Sequence, residues 1–338
     1  EHIPSLDTLV EHILHRIVLA PWPNHEPELD TEWIDDDSMP LPLRTRLGSL
    51  RVLTQWCCVQ KKADLVPPVL KLLWILLGTG EVHRDQHIPL GVRSRLRLFA
   101  AQCILKLATC DAYASLILPR MGRLSYALQD ECFQVRMHLL HDLLLYLMRD
   151  ELPTEFHAAI FLVAFDPEDE PRVQVASYTR RLQVLPPIVR HERLERIIVR
   201  FLHLLAHHPD LNAESPQTLC SFARYLEFYL ACVACETNIG VLARFSACVR
   251  TYIDLSLSEP SVENSRPLYA MAELAQFLIQ RLADNHGWTI YPVDEEAPCP
   301  KDILRSTGTI ARSVLDGEVW ELLQQQPRRH RDKKTKVA

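Results

Sequence analysis

Two helix-start motifs at a fixed interval constrain the fold of this chain more than any other feature. The segment DECFQVR begins at Asp130, and the segment DPEDEPRV begins at Asp166, about 36 positions later, an interval in the range of helical-hairpin repeats. An aspartate at a helix start accepts hydrogen bonds from free backbone N–H groups, and Pro171 suits a first helical turn. Residues 130–182 are therefore predicted to form three helices joined by short turns.

Each motif also carries an arginine just inside its helix, Arg136 in the first and Arg172 in the second. From that position a guanidinium can reach an acidic turn on the neighbouring repeat. We therefore predict structural roles for both arginines and for Asp130 and Asp166. This repeated pattern of helix starts is typical of a HEAT-type α-solenoid, in which each helical hairpin buries one face against the next. The predicted fold is an all-α, right-handed superhelix of helical hairpins.

The composition favours the same fold. Among the 338 residues, 48% are hydrophobic and 9 are glycine, while β-branched runs of period two are hard to find. The 23 prolines fall mainly between apolar segments, where they begin or end helices. Outside residues 130–182, the apolar periodicity predicts helices at 6–18, 44–59, 65–77, 93–109, 113–128, 191–207, 216–235, 239–257, 266–282 and 306–325.

We predict one HEAT-repeat array over residues 1–325 and a basic, flexible tail over residues 326–338. An acidic, proline-rich loop at residues 20–42 contains Trp22 and Trp33. We interpret this loop as a solvated insertion between repeats, and the alternative is a docking loop for a basic partner. Because the chain begins with Glu1 rather than Met, we expect it to be a fragment of a longer protein.

The charge and the cysteines bear on the class of protein. The net charge of −6 combines a tail of about +5 with a body of about −11, so a DNA-wrapping surface over the whole length is disfavoured, although local basic strips remain possible. The 10 cysteines show no extracellular spacing, and most of them lie among apolar neighbours, as buried thiols do in reducing compartments. No signal peptide or membrane-length apolar run is found. We expect a soluble, intracellular protein without a membrane partner.

Three groups have spacings that can bind a metal ion, and none has the companion residues that such a site needs. The groups are His138/His141/Asp142, His203/His207 followed by His208 and Asp210, and Cys232/Cys235. Histidines near a helix C-terminus are explained by the helix dipole, and the two cysteines lie in an apolar helix. No nucleophilic catalytic set is found either. The sequence therefore predicts no metal site, no cofactor and no enzyme.

Arginine strips and the tail are the candidate binding features. The strip candidates for partner binding are Arg93, Arg95, Arg97, Arg180, Arg181, Arg190, Arg193, Arg196 and Arg200. The alternative for these strips is a solvated helix face or an ion pair between repeats. The tail candidates for DNA contact or nuclear import are Arg328, Arg329, Arg331, Lys333, Lys334 and Lys336. The alternative for the tail is a solvated chain end.

Four blocks of sequence carry a resemblance to a known family. They are RSRLRLFAAQCILKLA at 93–108, DECFQVR at 130–136, ELPTEFHAAIFLVAFDPEDEPR at 151–172 and RIIVRFLHLLAHHPDL at 196–211. In order, wording and separation they resemble the cohesin regulators named for the precocious dissociation of sisters, the Pds family, and most of all a fungal member. The similarity runs from about residue 44 to about residue 282, and the ends match weakly.

The resemblance implies a hook-shaped HEAT superhelix that binds the kleisin subunit of the cohesin complex on chromatin in the nucleus. Such proteins maintain sister-chromatid cohesion, promote release with the factor Wapl, support acetylation of the cohesin ATPase heads, and are not catalytic. The resemblance also implies that Wapl is engaged through parts absent from this chain. The alternative is a nucleic-acid-binding solenoid that uses the arginine strips and the tail. A transport or phosphatase-scaffold HEAT protein is a third hypothesis, supported only by generic repeat geometry.

Overall fold

A computed structural model of the chain describes residues 13, 20–23, 30–62, 64, 66–81 and 88–325. Within these residues the secondary structure is mostly helical and strands are few, which confirms the predicted all-α, HEAT-type class. The chain divides into two compact units, Glu1–Phe201 and Leu202–Ala338. One continuous array over residues 1–325 stays a prediction. The predicted helix at 6–18 and the predicted flexible tail at 326–338 lie outside the described residues, except for the single residue Ile13.

The first unit is built from α-helices interrupted by 3-10 segments. Its α-helices are α1 (Leu41–Gln60), α2 (Val66–Thr79), α3 (Leu90–Ala108), α4 (Asp111–Ile117), α5 (Met121–Ser125), α6 (Phe133–Met148), α7 (Asp169–Gln183) and α8 (Pro187–Arg190). The 3-10 segments are Leu118–Arg120, Tyr126–Gln129 and Thr154–Phe165, and a π-helical turn, His191–Glu195, follows α8.

These elements form two layers of stacked hairpins. The first helices of successive hairpins pack side by side, α1 on α3, α3 on α6, and α6 on α7. The second layer contains α5 and Thr154–Phe165, which pack on each other. Residues 156–164 of that 3-10 segment are all buried, as expected for a stretch that is apolar on every side. The periodicity predicted a helix here but not its tighter winding.

Two predicted boundaries in this unit are wrong. The helix predicted at 113–128 is broken after Ile117, because Pro119 has no backbone N–H to donate and disfavours continuation of the preceding turn. The helix predicted to start at Asp130 begins at Phe133, and its N-cap residue is Cys132. Asp130 Oδ1 accepts the backbone N–H of Cys132 at 2.9 Å. Asp130 therefore lies outside the helix and forms its hydrogen bond with the N-cap residue, Cys132.

The described residues of the acidic loop are anchored on the first unit. Trp22 and Ile34 are buried, and the guanidinium of Arg95 on α3 lies 3.9 Å from the centroid of the Trp33 ring. The same arginine forms an ion pair with Asp36 at 2.8 Å. These residues of the loop are therefore held against the repeats, which differs from the solvated insertion expected from sequence.

The second unit contains helices and one small sheet. Helix α9 (Ile198–Ala206) includes the boundary between the units, and the elements that follow it are α10 (Pro216–Val233), α11 (Ile239–Cys248), a 3-10 turn Val249–Thr251, β1 (Tyr252–Asp254), α12 (Arg266–His286), β2 (Leu304–Ser306) and α13 (Gly317–Gln325). Strands β1 and β2 are antiparallel, with Tyr252 opposite Ser306 and Asp254 opposite Leu304.

The strands correct two predicted helices. The helix predicted at 239–257 ends at Cys248. Residues 252–254, which were predicted to belong to it, form strand β1 instead. The helix predicted at 306–325 begins only at Gly317, and Gly308 adopts a left-handed φ of 71° that helices do not use. Along the part of the chain that the structure describes, no helix has both the length and the apolar character needed to cross a membrane.

Candidate functional site

An ion pair joins α3 to the turn that precedes α6. Arg97 donates from Nε to Asp130 Oδ2 at 2.7 Å and from Nη2 to Asp130 Oδ1 at 2.9 Å. Its Nη2 also lies 3.2 Å from the more exposed Glu131 carboxylate. Burial disfavours the charged guanidinium, but the bonds to Asp130 outweigh burial and raise the pKa of Arg97. Arg97, predicted as a partner-binding candidate, is therefore a buried cation neutralised inside the unit.

Arg136 makes the same connection one repeat later. Its Nε donates to Asp166 Oδ2 at 2.8 Å, and both residues are buried. Its Nη1 donates to the backbone carbonyl of Asp130 at 2.8 Å and to that of Glu131 at 3.1 Å. Asp166 also accepts the backbone N–H of Glu168, the N-cap residue of α7, at 2.9 Å. Arg136 thus contacts two successive turns.

Arg172 repeats one contact of Arg136, the bond to the turn that precedes its own helix. Its Nη1 donates to the backbone carbonyl of Asp166, and its Nη2 forms an ion pair with the exposed Asp169. The five residues Arg97, Asp130, Arg136, Asp166 and Arg172 form what we call the acid–arginine ladder. Arg97 and Arg136 each reach the turn of the following repeat. Both contacts of Arg172 stay within its own repeat, which differs from the reach to a neighbouring repeat predicted for this arginine.

An open cleft of about 360 Å³ lies beside the first pair of the ladder. Arg93, Arg123 and Trp74 contribute to its lining. Arg93 donates to the Thr79 carbonyl at 3.1 Å and lies 3.5 Å from the Glu81 carboxylate. Arg123 lies over the Trp74 ring, 5.5 Å from its centroid. Sequence reasoning missed Arg123, since a single arginine between short segments has no periodic signal.

The later arginine strip is mostly neutralised by neighbouring carboxylates. Arg190 lies 3.3 Å from Glu195, Arg193 lies 2.9 Å from Asp150, and Arg196 lies 3.2 Å from Glu192. The last member of the strip, Arg200, is buried with 3% of its surface exposed. This strip is therefore a set of ion pairs and a buried cation rather than a continuous positive surface.

Arg180 and Arg181 differ from the other predicted arginines. Both are exposed at the end of α7, and within the described part of the chain neither forms an ion pair with a carboxylate. Arg180 Nε donates to the Ala176 carbonyl at 3.2 Å, and Arg181 Nη1 lies 3.9 Å from the Met148 sulfur. Their charges are thus available to a partner.

Exposed apolar side chains lie along the same helix and at its C-cap. Val173 and Val184 are 59% and 85% exposed, and their spacings of seven and four residues from Arg180 place all three on one helical face. Ile188, 80% exposed, follows at the start of α8, and Met148 is 54% exposed beside Arg181. We call Met148, Val173, Arg180, Arg181, Val184 and Ile188 the α7 patch. Its apolar members were not predicted, because periodicity alone assigns such residues to the core.

The structure places two of the three residue groups with metal-binding spacing among ordinary protein contacts. His138 stacks on Trp33 with ring centroids 5.7 Å apart, and Asp142 accepts from Gln102 Nε2 at 2.7 Å. Each of the ten cysteines is a free thiol, and burial raises the pKa of Cys103 to about 11. The six tail candidates, Arg328 to Lys336, lie outside the described residues. His203 and His207 both lie close to the carboxylate of Asp254.

The chain is similar to proteins of sister-chromatid cohesion. A family described as "Sister chromatid cohesion protein PDS5 protein" matches residues 4–305. Sister chromatid cohesion protein pds5 of Schizosaccharomyces pombe is 24% identical over 311 residues, which cover 90% of this chain and 25% of that protein. Sister chromatid cohesion protein PDS5 of Saccharomyces cerevisiae is 21% identical over 354 residues, 92% of this chain and 28% of that protein.

An animal relative matches a shorter part of the chain. Sister chromatid cohesion protein PDS5 homolog A of Danio rerio is 30% identical over 202 residues, 55% of this chain and 15% of that protein. The chain thus spans about a quarter of the length of the two fungal relatives that it matches.

Proposed function

Because the chain belongs to the family of sister chromatid cohesion protein PDS5, we propose that it is a non-catalytic scaffold that binds cohesin through the kleisin subunit. In this role it contributes to the maintenance and release of sister-chromatid cohesion. Family membership is the observation that carries the proposal. The cohesin complex, chromatin and the nucleus are the proposed setting. We further propose that Wapl is engaged through other parts of the longer proteins of this family.

The α7 patch is the surface that we assign to the kleisin segment. Two exposed cations without an ion-pair partner in the described chain, Arg180 and Arg181, suit acidic side chains. Val173 and Val184, exposed on the same face, suit apolar side chains of an extended or helical peptide. In peptide recognition, burial of apolar surface supplies affinity and charged groups supply orientation.

The pairing of the other arginines disfavours nucleic acid as the main ligand of the described residues. DNA binding draws its affinity from unpaired cations that replace counterions on phosphates. Arg95, Arg193 and Arg196 each lie within 3.2 Å of a carboxylate, so binding a phosphate would first require breaking an internal pair. The α7 patch offers only two unpaired cations, which is a small number for a phosphate-tracking surface.

A binding titration tests this assignment. Fluorescence anisotropy of labelled, overlapping kleisin segments would be measured with the wild-type chain and with the double variant Arg180→Glu/Arg181→Glu. We expect the variant to weaken binding of one acidic, apolar segment at least tenfold, about 1.4 kcal/mol. The charge reversal Lys71→Glu, at an exposed position of α2, is the matched control and should leave that affinity unchanged. Equal affinities of wild type and double variant would remove the contact from the α7 patch.

A further inference from the structure

Three metal-ligating side chains converge in the second unit. His207 Nε2 lies 2.5 Å from Asp254 Oδ2, and His203 Nε2 lies 3.3 Å from Asp254 Oδ1. The potential ligand atoms of the three residues all lie within 4.8 Å of one another. The two imidazole rings are 4.4 Å apart between centroids. Both histidines therefore present the same nitrogen to one carboxylate.

The fold holds these side chains in place before any ligand binds. His203 and His207 are four residues apart where α9 ends, so they lie on one helical face. Asp254 is the last residue of β1, opposite Leu304 of β2. Its backbone N–H donates to Ser265 Oγ at 3.1 Å, and its carboxylate accepts the backbone N–H of Ser256 at 2.8 Å. Strand pairing and both hydrogen bonds fix the direction of the carboxylate.

We propose that His203, His207 and Asp254 bind a divalent transition-metal ion of the zinc class. Imidazole nitrogens and one carboxylate oxygen are zinc ligands, with bond lengths of about 2.0–2.2 Å, and a tetrahedron of that size places ligand atoms about 3.3 Å apart. The spacing between His203 Nε2 and Asp254 Oδ1 already has this value. Small side-chain rotations would open the shorter pair around an ion.

A serine hydroxyl lies beside the three side chains, and one of the histidines is partly exposed. Ser256 Oγ lies 3.1 Å from His203 Nε2, where it can hold a metal-bound water or approach the ion itself. His203 and Asp254 are buried, whereas the side chain of His207 is 29% exposed. An ion would therefore enter past His207. Two nitrogen ligands favour zinc, copper or nickel over magnesium and calcium, which prefer oxygen ligands.

The charge of the carboxylate fits a cation. Asp254 is buried, and each of its carboxylate oxygens faces the Nε2 atom of one imidazole. When both rings carry their proton on Nδ1, the two Nε2 lone pairs and the carboxylate can bind one cation. The sequence could not show this, because Asp254 is 47 residues from His207 and lies in a segment predicted to be helical.

A substitution separates metal binding from simple hydrogen bonding. In His207→Gln the amide N–H can still donate to Asp254, but the amide is a poor zinc ligand. His286→Gln changes another histidine, exposed at the C-terminus of α12 in the same unit, and serves as the matched control. The control also accounts for zinc bound by other histidines or by the thiols.

Zinc binding would be measured on the whole chain by calorimetric titration with Zn²⁺, and the thermal midpoint would be measured with and without Zn²⁺. We expect wild type and His286→Gln to bind about one ion more than His207→Gln and to gain a higher midpoint that His207→Gln lacks. Equal stoichiometry and equal midpoint shifts in all three proteins would overturn the proposal.

If His207→Gln does not fold, Co²⁺ absorption of the wild type decides instead. A spectrum of nitrogen and oxygen ligation supports the site, and the absence of such a spectrum overturns it.

Discussion

Arg136 Nε donates to Asp166 Oδ2 at 2.8 Å, while Nη1 of the same guanidinium donates to the backbone carbonyl of Asp130 at 2.8 Å. One buried side chain therefore ties the turn before its own helix to the turn of the following repeat. The positions of Asp130 and Asp166 make this link possible, since the chain returns to the same edge of the stack after each hairpin. The link is the central member of the acid–arginine ladder.

Removing one partner of this link should be strongly destabilising. Asp166→Asn leaves the buried Arg136 guanidinium without its anion, and we expect the free energy of unfolding to fall by about 3–5 kcal/mol. Arg136→Met should cost a similar amount, and the double variant should cost less than the sum of the two. Urea unfolding measures all three variants. The exposed pair of Arg172 and Asp169 supplies the control, because Asp169→Asn should cost less than about 0.5 kcal/mol. Additive losses in the double variant would contradict the link.

Asp130 should act as an ion-pair partner and not as a helix cap. Asn caps helices about as well as Asp and can still accept the backbone N–H of Cys132. Asp130→Asn nevertheless removes the anion facing the buried Arg97, so we expect a loss of about 2–4 kcal/mol in urea unfolding. Ser215→Ala, which removes a real cap that accepts the N–H of Thr218, should cost about 1 kcal/mol. A loss from Asp130→Asn of only a few tenths of a kcal/mol would favour capping.

Acidification should destabilise the first unit through His157. The Thr154 carbonyl, 2.8 Å away, can only accept, so Nδ1 carries the proton of the neutral ring, and Nε2 accepts from the Tyr178 hydroxyl at 2.9 Å. The pKa of His157 is lowered to about 4, mainly by burial and in part by the nearby charge of Arg193, while the Thr154 carbonyl and Asp150 oppose the shift. The unfolded chain, with a pKa near 6.5, binds this proton more readily.

The stabilising contribution of His157 is therefore fully present above about pH 6.5 and is lost as the pH falls toward 4. The total loss should be about 3 kcal/mol. In His157→Gln the side chain cannot titrate, so the difference in unfolding free energy between wild type and variant should shrink between pH 7 and pH 4.5. Urea unfolding at both pH values checks this. Parallel pH profiles for the two proteins would show that His157 is not the group responsible.

Gly91 should be required for the anchoring of the acidic loop. A Cβ at this position would lie 2.8 Å from the Thr31 carbonyl oxygen and 2.8 Å from Ile34 Cγ1. Gly91→Ala should therefore displace the loop and increase its cleavage by a protease at least severalfold. Gly48→Ala, in α1, meets nothing within 4 Å and should stabilise the chain by about 0.5–1 kcal/mol with no change in loop cleavage. Unchanged cleavage in Gly91→Ala would contradict the observed packing of the loop.

The helical class and most helix positions could be predicted from the sequence, because apolar periodicity reports directly on which face is buried. The reach of Arg136 to a neighbouring acidic turn could be predicted as well, since the repeat interval brings equivalent turns together. Winding and termination were harder to predict. The break after Ile117 and the 3-10 stretch Thr154–Phe165 depend on how tightly adjacent hairpins pack, and that packing has no local sequence signal.

The surface could be predicted only in part. Sequence shows that Arg97 and Arg181 are both cations on helices, but burial against Asp130 in one case and exposure in the other are tertiary properties. The same holds for Asp254, whose meeting with His203 and His207 requires β1 to replace a predicted helix. Contacts between residues far apart in the sequence are therefore what only the structure reveals.

The most direct test of the proposed function compares a kleisin segment with duplex DNA in titrations of the wild-type chain at about 50 mM and 200 mM salt. Phosphate-driven binding loses orders of magnitude in affinity over this range, whereas peptide binding with an apolar centre loses much less. We expect saturable binding of one kleisin segment that weakens less than tenfold at the higher salt, with much weaker binding of DNA. Failure of every kleisin segment to bind at micromolar concentration, or tighter binding of DNA at both salts, would contradict the proposed function.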